Sequence, residues 1–167
     1  MPETLDPVAA ALLPSGRYGH DGGAAGVRLR LVSGRALVQV MARGHDDDAI
    51  ESAVREKYGI ALPQEPVMAR GPRLSFLWAG HRTWIAMADE SDAADLESVL
   101  RADLGPLASV SDQSDSRLLV ELSGGKAREL LAKLVPVDLH PRAFRQGDTA
   151  MTLFGHIAGP ITQIDAA

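Results

Sequence analysis

Apolar and polar side chains alternate along several stretches of the chain, which predicts β-strands. The clearest case is 117–122, where Leu118, Val120 and Leu122 fall on one face and the intervening residues on the other. We interpret this as a strand with one face in a core. The same pattern predicts four strand pairs in all: 27–43 with a turn at Ser33-Gly34, 74–79 with 83–87, 108–111 with 117–122, and 149–154 with 160–164.

Helical spacing of apolar residues predicts three helices between these strands. The first begins at the acidic run 46–48, where carboxylates stabilise a helix N-terminus, and ends at Gly59. Its buried stripe is Ile50, Val54 and Tyr58. The second is capped by Ser91 and has the stripe Leu96, Val99, Leu100 and Leu104, and the third lies near 125–135 and stops at Pro136.

The order of elements repeats with a period of roughly 80 residues, which favours a duplicated unit over a solenoid. We therefore predict an α+β fold of two related ferredoxin-like (split β-α-β) modules with antiparallel sheets. The modules are predicted at 27–107 and 108–167, after a flexible N-terminal arm at 1–26. The given sequence stops before counterparts of the last strand and helix of the first module. Either a longer chain carries them or this is a divergent short form, and only in the second case do we expect a sheet edge and a helix-sized apolar gap.

Composition excludes several classes of protein. The net charge is −5, so we expect no nucleic-acid partner, since phosphates call for a basic face. There is no cysteine, which rules out disulfides and thiolate chemistry. No apolar run reaches the roughly 18 residues of a membrane span, and the N-terminus has no secretory pattern. We expect a cytoplasmic protein that is not in a membrane.

No sequence motif indicates a reactive centre, so we predict no catalytic, cofactor-binding or metal-binding residue in this chain. The Gly124-Gly125-Lys126 run fails the phosphate-loop spacing, and no nucleophile elbow is present. Adjacent residues of a helix diverge, so the acidic run 46–48 does not converge on one ion.

A few polar and aromatic residues remain candidates for subunit or ligand contacts. The residues between 112 and 117 form a turn rich in Asp and Ser, the residue types usual in turns. This turn is open to a structural, a subunit-contact or a ligand-binding interpretation. Asp138 and His140 could offer two metal ligands from one strand face, but we favour a role for both in the turn before Pro141. Two tryptophans flank a hairpin as core or interface anchors. The full set is Asp112, Ser114, Asp115, Arg117, His140, Arg142, Trp78 and Trp84.

Three ordered blocks of sequence carry a family resemblance. They are D-Q-S-D-x-R at 112–117, L-S-G-x-x-A-R-x-L-L-A-K at 122–133 and D-L-H-P-R-x-F at 138–144. Together they resemble the gamma subunit of heterotetrameric sarcosine oxidase, a distant relative of the aminomethyltransferase (T-protein) of the glycine-cleavage system. The family usually shows G-P-x-x-W, whereas this chain has G-H-R-T-W at 80–84.

The resemblance implies a T-protein-like fold and a non-catalytic role in assembly. The partners it implies are alpha, beta and delta subunits, which would hold FAD, FMN, NAD and tetrahydrofolate. Such a complex demethylates sarcosine oxidatively to glycine and passes the one-carbon unit to tetrahydrofolate. The alternative is a free-standing folate-binding or aminomethyl-transfer module of the T-protein type. In that case Asp112 is the candidate for the acidic residue that contacts the pterin.

Overall fold

A computed structural model describes residues 14–19, 22–89 and 95–165. The strands are β1 (Arg28–Val32), β2 (Arg35–Ala42), β3 (Met68–Arg70), β4 (Leu74–Gly80), β5 (Thr83–Asp89), β6 (Ala108–Asp112), β7 (Leu119–Ser123), β8 (Thr149–Phe154) and β9 (Ile157–Thr162). The helices are α1 (Asp47–Tyr58), α2 (Leu96–Leu104) and α3 (Ala127–Leu131), and a 3-10 turn, Gly105–Leu107, follows α2.

A five-stranded antiparallel sheet in the order β3-β4-β5-β2-β6 forms the centre of the structure. Val40 lies opposite Trp84 on one side and Val110 on the other, so three buried apolar residues share one face. Helices α1 and α2 contribute to the core on this face. The opposite face holds a smaller cluster around Leu37 and Ile85. Apolar side chains on both faces make this the most buried part of the chain.

Helix α1 begins and ends as its sequence predicts. The side chain of Asp46 accepts a hydrogen bond from the N–H of Ala49 at 3.0 Å and so caps the N-terminus. Gly59 is left-handed, with φ of 68°, and its N–H donates to the carbonyl of Arg55. Of the predicted stripe, Ile50 and Val54 are buried and Tyr58 is half-buried.

Helix α2 differs from the prediction in its cap and in one face. The predicted cap, Ser91, lies outside the described residues. The described helix follows Asp95, whose side chain accepts from the N–H of Ser98 at 3.2 Å. Leu96, Leu100 and Leu104 are buried, but Val99 is exposed and its place in the predicted stripe was wrong.

Two of the predicted strand pairings are wrong, although the strands themselves exist. β1 does not form a hairpin with β2 but pairs with β7, Leu29 lying opposite Leu122. β6 pairs with β2 and not with β7. The reason is that β5 and β6 occupy both edges of β2, so β1 has no free edge there. The hairpins β4–β5 and β8–β9 are confirmed, although β9 begins earlier than predicted.

The remaining elements form two smaller pieces. One is the β1–β7 ribbon, and the other is the β8–β9 hairpin with a small core around Val135, Leu139 and Phe144. The hairpin joins the edge of the central sheet through a bridge between Val67 and Asp148. β6, assigned by sequence to the second module, belongs to the central sheet.

The predicted α+β class with antiparallel sheets is confirmed. The division into two modules stays a prediction. Within the predicted N-terminal arm, residues 1–13, 20 and 21 lie outside the described residues.

Candidate functional site

The Asp-Ser turn after β6 is hydrogen-bonded to the neighbouring strand β2. The hydroxyl of Ser114 accepts from the backbone N–H of Leu37 at 3.0 Å and lies 2.6 Å from Oδ1 of Asp112, to which it donates. The N–H of Ser114 also donates to Asp112, at 3.0 Å. The N–H of Gln113 donates to the carbonyl of Leu37 at 2.7 Å. These contacts extend the β2–β6 pairing by one turn.

Hydrogen bonding within the turn lowers the pKa of the Asp112 carboxyl. The hydroxyl of Ser114 lowers the pKa of Asp112 below that of an ordinary aspartate, and partial desolvation opposes the shift only in part. Oδ1 of Asp112 therefore accepts two hydrogen bonds from its own turn. Asp115 is exposed beside it. Arg117 is half-buried and is not among the ion pairs of the described residues.

His140 and Arg142 lie in an exposed turn that the chain itself satisfies. The N–H of His140 donates to Asp138 at 2.9 Å, and its ring Nδ1 accepts from the N–H of Arg142 at 3.2 Å. This turn is separate from the one at Asp112: it follows the third helix, whereas Asp112 ends β6. Within the described residues, no group of three or more His, Cys, Asp or Glu is arranged to hold a metal ion.

The two tryptophans lie directly opposite each other on β4 and β5. Trp84 is buried, and its indole N–H donates to the carbonyl of Pro63 at 2.7 Å, which ties the loop before β3 to the sheet. Trp78 is half-buried. Trp84 is thus a core residue, while the half-exposed Trp78 stays a candidate contact.

The most unusual surface is the apolar face of the β1–β7 ribbon. Leu118 is 54% exposed and Leu29 is 49% exposed, although sequence alternation predicts a core strand at 117–122. Val120, on the same face as Leu29, is also exposed. On the other face, Arg30 and Glu121 form an ion pair, and Val32 lies opposite Leu119. We call the apolar face, formed by Leu29, Leu31, Leu118, Val120 and Leu122, the ribbon face.

More exposed apolar side chains follow in the rest of the C-terminal half. They are Leu130 in α3, Leu134 after it, Met151, Leu153 and Ile157 on the β8–β9 hairpin, and Ile164 after β9. Large exposed apolar areas mark interaction surfaces in folded proteins. The sequence contained the signal for this surface, since the alternation is plain, but alternation alone does not tell a core face from an interface.

Two surface depressions of about 210 and 200 Å³ lie beside α1, one lined by Asp48, Glu51, Ser52 and Arg55, the other by Lys57, Tyr58, Pro72, Arg73 and Leu74. Both fall below the ~300–1,000 Å³ usual for small-molecule sites. Among the described helices, none has the length and apolar character to cross a bilayer.

Comparison with known proteins identifies the family. The model of the sarcosine oxidase, gamma subunit family matches residues 43–164, which is most of the chain. The chain belongs to this family. The match covers all three sequence blocks that carried the resemblance, since they lie between residues 112 and 144.

Two individual relatives of this chain carry the same family name. The sarcosine oxidase subunit gamma of Corynebacterium sp. (strain P-1) is 40% identical over 96 residues, 56% of this chain and 46% of the relative. That of Arthrobacter sp. is 33% identical over 123 residues, 71% of this chain and 59% of the relative. The chain thus spans about half the length of the curated relatives it matches.

A solved structure shares the fold of this family member. It is a chain of the heterotetrameric sarcosine oxidase from Corynebacterium sp. U-96, in complex with pyrrole 2-carboxylate. The TM-score is 0.74 at 26% sequence identity, and the match covers 85% of this chain and 73% of that chain.

Proposed function

We propose that this chain is the non-catalytic gamma subunit of a heterotetrameric sarcosine oxidase and acts in assembly. Family membership supports the subunit role. The observation that carries the assembly role is the ribbon face, because an apolar face of this kind is stable in water only when another surface covers it. Four of the candidate polar residues, Asp112, Ser114, His140 and Arg142, already hydrogen-bond within their own turns.

The activity of the proposed complex is the oxidative demethylation of sarcosine to glycine, with transfer of the one-carbon unit to tetrahydrofolate. Its alpha, beta and delta subunits would hold FAD, FMN, NAD and tetrahydrofolate, and this chain would hold none. The heterotetrameric composition of the solved relative supports an activity that is shared among several subunits. The comparisons do not favour the alternative of a free-standing folate-binding module.

The proposed fold is a duplication of a ferredoxin-like module, related to the T-protein. The order β3-β4-β5-β2-β6 supports it for the first unit. Without β3, the elements follow one another as strand, helix, two strands, helix and strand, which is the split β-α-β pattern. The second unit is represented by β7, α3, β8 and β9.

Coexpression with candidate alpha, beta and delta subunits tests the assembly role. Affinity purification through a tag on this chain should recover the other subunits, together with their flavin absorbance and with sarcosine oxidation. The same chain purified alone should show no visible flavin absorbance and no calorimetric heat with FAD, FMN or a reduced folate. Folate binding by the chain alone at micromolar concentration would contradict the proposal and support the folate-binding module.

A further inference from the structure

One segment of the chain is basic although the chain as a whole is acidic. Residues 126–145 contain five Lys or Arg and two Asp or Glu, which gives a net charge of +3 with histidine neutral. The whole chain carries −5, so the remaining residues together carry −8. This segment therefore differs in sign from the rest of the molecule.

The cations of this segment have no carboxylate partners in the described part of the chain. Six of the twelve Lys and Arg residues elsewhere form ion pairs there, for example Arg35 with Asp89 at 2.8 Å and Arg82 with Asp47 at 2.6 Å. Among the same described residues, none of the five cations within the segment does so. These five are Lys126, Arg128, Lys133, Arg142 and Arg145.

Helix α3 and the turn that follows it form one packed unit, which carries all five cations. Arg128 in α3 donates through Nη1 to the carbonyl of Leu139, which lies eleven residues further along the chain. Leu139 is buried with Phe144 in the small core, against which Leu131 of α3 also packs. The cations of the helix and those of the turn are therefore held together by the fold as well as by the sequence.

The side chains of these cations are accessible. Lys126, Lys133, Arg142 and Arg145 are exposed, and Arg128 is half-buried. We call the four exposed side chains the basic surface. Like charges repel one another in the isolated chain, and an array of carboxylates placed opposite them would replace this repulsion by attraction.

We propose that the basic surface docks on an acidic face of another polypeptide of the assembly. Its effect is to speed association and to orient the chain, since complementary charges steer an encounter more than they increase the final affinity. The identity of the partner as another subunit rests on the proposed function. The acidic character of the partner rests on the charges of residues 126–145 alone.

An acidic protein face fits the basic surface better than a nucleic acid does. The cations occupy one segment, and the −8 carried by the rest of the chain would repel a long polyanion. Bases of single strands stack on exposed aromatic side chains, but the only Phe, Tyr or Trp of the segment is Phe144, which is buried. A local acidic patch on a folded partner meets the attraction without that repulsion.

Charge reversal tests the steering role. Interferometry measures the association of the purified chain with the purified complex of the other subunits. Lys133→Glu with Arg142→Glu should slow association at least about tenfold in about 50 mM NaCl, and the difference should shrink in about 500 mM NaCl. The control, Arg55→Glu with Arg73→Glu, changes the net charge equally at exposed cations of the first half and should associate as wild type does. Equal association rates for the two double variants would overturn the proposal.

Carbodiimide cross-linking in the coexpressed complex identifies the partner. The chain has only three lysines, Lys57, Lys126 and Lys133. The reagent joins a lysine amine to a carboxylate in contact with it, so Lys126 or Lys133 should be joined to Asp or Glu of another subunit. Lys57 is the internal control and should be joined to Asp103 of the same chain, whose Oδ1 lies 3.6 Å from its Nζ. Cross-links from Lys126 and Lys133 to this chain alone would overturn the proposal.

A failure of the proposed function can be distinguished from a failure of this inference. If wild type does not bind the other subunits, the proposed function is wrong, and the isolated chain then decides the acidic ligand. A peptide of ten glutamates, titrated in about 25 mM NaCl, should shift the NMR signals of residues 126–145 and leave those of α1 unchanged. No shift in residues 126–145, or tighter binding there of a ten-base-pair DNA duplex, would overturn an acidic protein partner.

Discussion

At the scale of single residues, Ser114 determines the geometry of the turn after β6. Its hydroxyl contacts both Asp112 and the N–H of Leu37 on the neighbouring strand. Ser114→Ala leaves that N–H without its acceptor, so we expect a loss of about 1 kcal/mol in the free energy of unfolding. The pKa of Asp112 should rise towards that of an ordinary aspartate. Urea unfolding and a carboxyl titration by NMR measure the two effects.

The sign of the pH dependence follows from the lowered pKa of Asp112. The folded state favours the carboxylate, so this contribution to stability is present above the pKa of the unfolded chain and is lost as the pH falls through the folded pKa. The difference between wild type and Ser114→Ala should therefore shrink in acid. Ser116→Ala is the matched control, because Ser116 bonds only to Gln113. An unchanged Asp112 titration in Ser114→Ala would disprove the assignment.

Tyr58 gives a second prediction, at the opposite end of the pH scale. Its hydroxyl donates to Asp103 at 2.7 Å, and its ring packs edge-on against Phe76. Burial and then the bond to Asp103 raise the pKa of Tyr58 well above that of an ordinary tyrosine. Tyr58→Phe keeps the ring contact and loses the bond to a charged acceptor. We expect it to lower the free energy of unfolding by about 1.5–3 kcal/mol at neutral pH.

Because the pKa is raised in the folded state, the contribution of Tyr58 to the free energy of unfolding is complete below the pKa of tyrosine in the unfolded chain, about 10. It is lost as the pH rises above that value. Urea unfolding between pH 7 and pH 11 should show wild type losing stability more steeply than Tyr58→Phe. Tyr18→Phe is the control, since Tyr18 is the other tyrosine of the chain and is exposed. Equal slopes for wild type and Tyr58→Phe would contradict the assigned hydrogen bond.

At the scale of elements, Gly124 determines how β7, α3 and the start of β1 meet. Its φ is +107°, and a Cβ there would lie 2.6 Å from the carbonyl oxygen of Gly26. That oxygen accepts from the N–H of Lys126 at 2.9 Å, so the segment before β1 is held against the start of α3. Gly124→Ala should speed hydrogen exchange in the ribbon and leave the central sheet unchanged.

The adjacent glycine provides the control for this prediction. A Cβ at Gly125 meets open space, and its φ is not in the left-handed region. Gly125→Ala should therefore have little effect on exchange in the ribbon. Equal exchange in the two variants would show that the close approach of Gly26 to Gly124 does not constrain the junction.

The sequence predicts elements much better than it predicts their partners. Alternation and capping located nearly every strand and both long helices, because these signals are local. Pairing is decided by which edges are free. β1 and β2 are separated by only Ser33-Gly34, a natural hairpin signal, yet β5 and β6 already occupy β2. No local pattern around Ser33 contains that information, so the chain passes from one sheet to another where a hairpin was predicted.

The candidate site residues also show that a local sequence pattern does not reveal a residue's surroundings in the fold. The sequence selected Asp112, Ser114 and His140 for their chemistry, and the structure places each of them in hydrogen bonds within its own turn. The sequence analysis did not select Leu29, Leu118 or Val120, which are exposed on the ribbon face. An apolar residue in an alternating strand is assigned to a core by default, and only the fold shows that these side chains are exposed.

At the scale of the whole molecule, stability and apolar exposure are unevenly distributed. The main core joins the five-stranded sheet to α1 and α2, whereas the C-terminal half has a small core and several exposed apolar side chains. A two-stranded ribbon is only marginally stable in water by itself. The proposed partner would therefore order the ribbon as well as bind it, and hydrogen-exchange protection should increase on assembly first in β1 and β7.

Replacing two residues of the ribbon face should separate assembly from folding. Leu118 and Val120 are exposed in the isolated chain, so Leu118→Ser with Val120→Ser should change its free energy of unfolding by only about 0.5 kcal/mol. In the complex the same side chains would be buried, each stabilising by about 1.5–3 kcal/mol, so binding of the other subunits should weaken at least ~100-fold. Co-purification yield and interferometry against the remaining subunits measure this. Val99→Ser, on a comparably exposed apolar residue of α2, should bind as wild type does. If the double variant also binds as wild type does, the ribbon face is not the contact surface, whatever the chain's role in the complex.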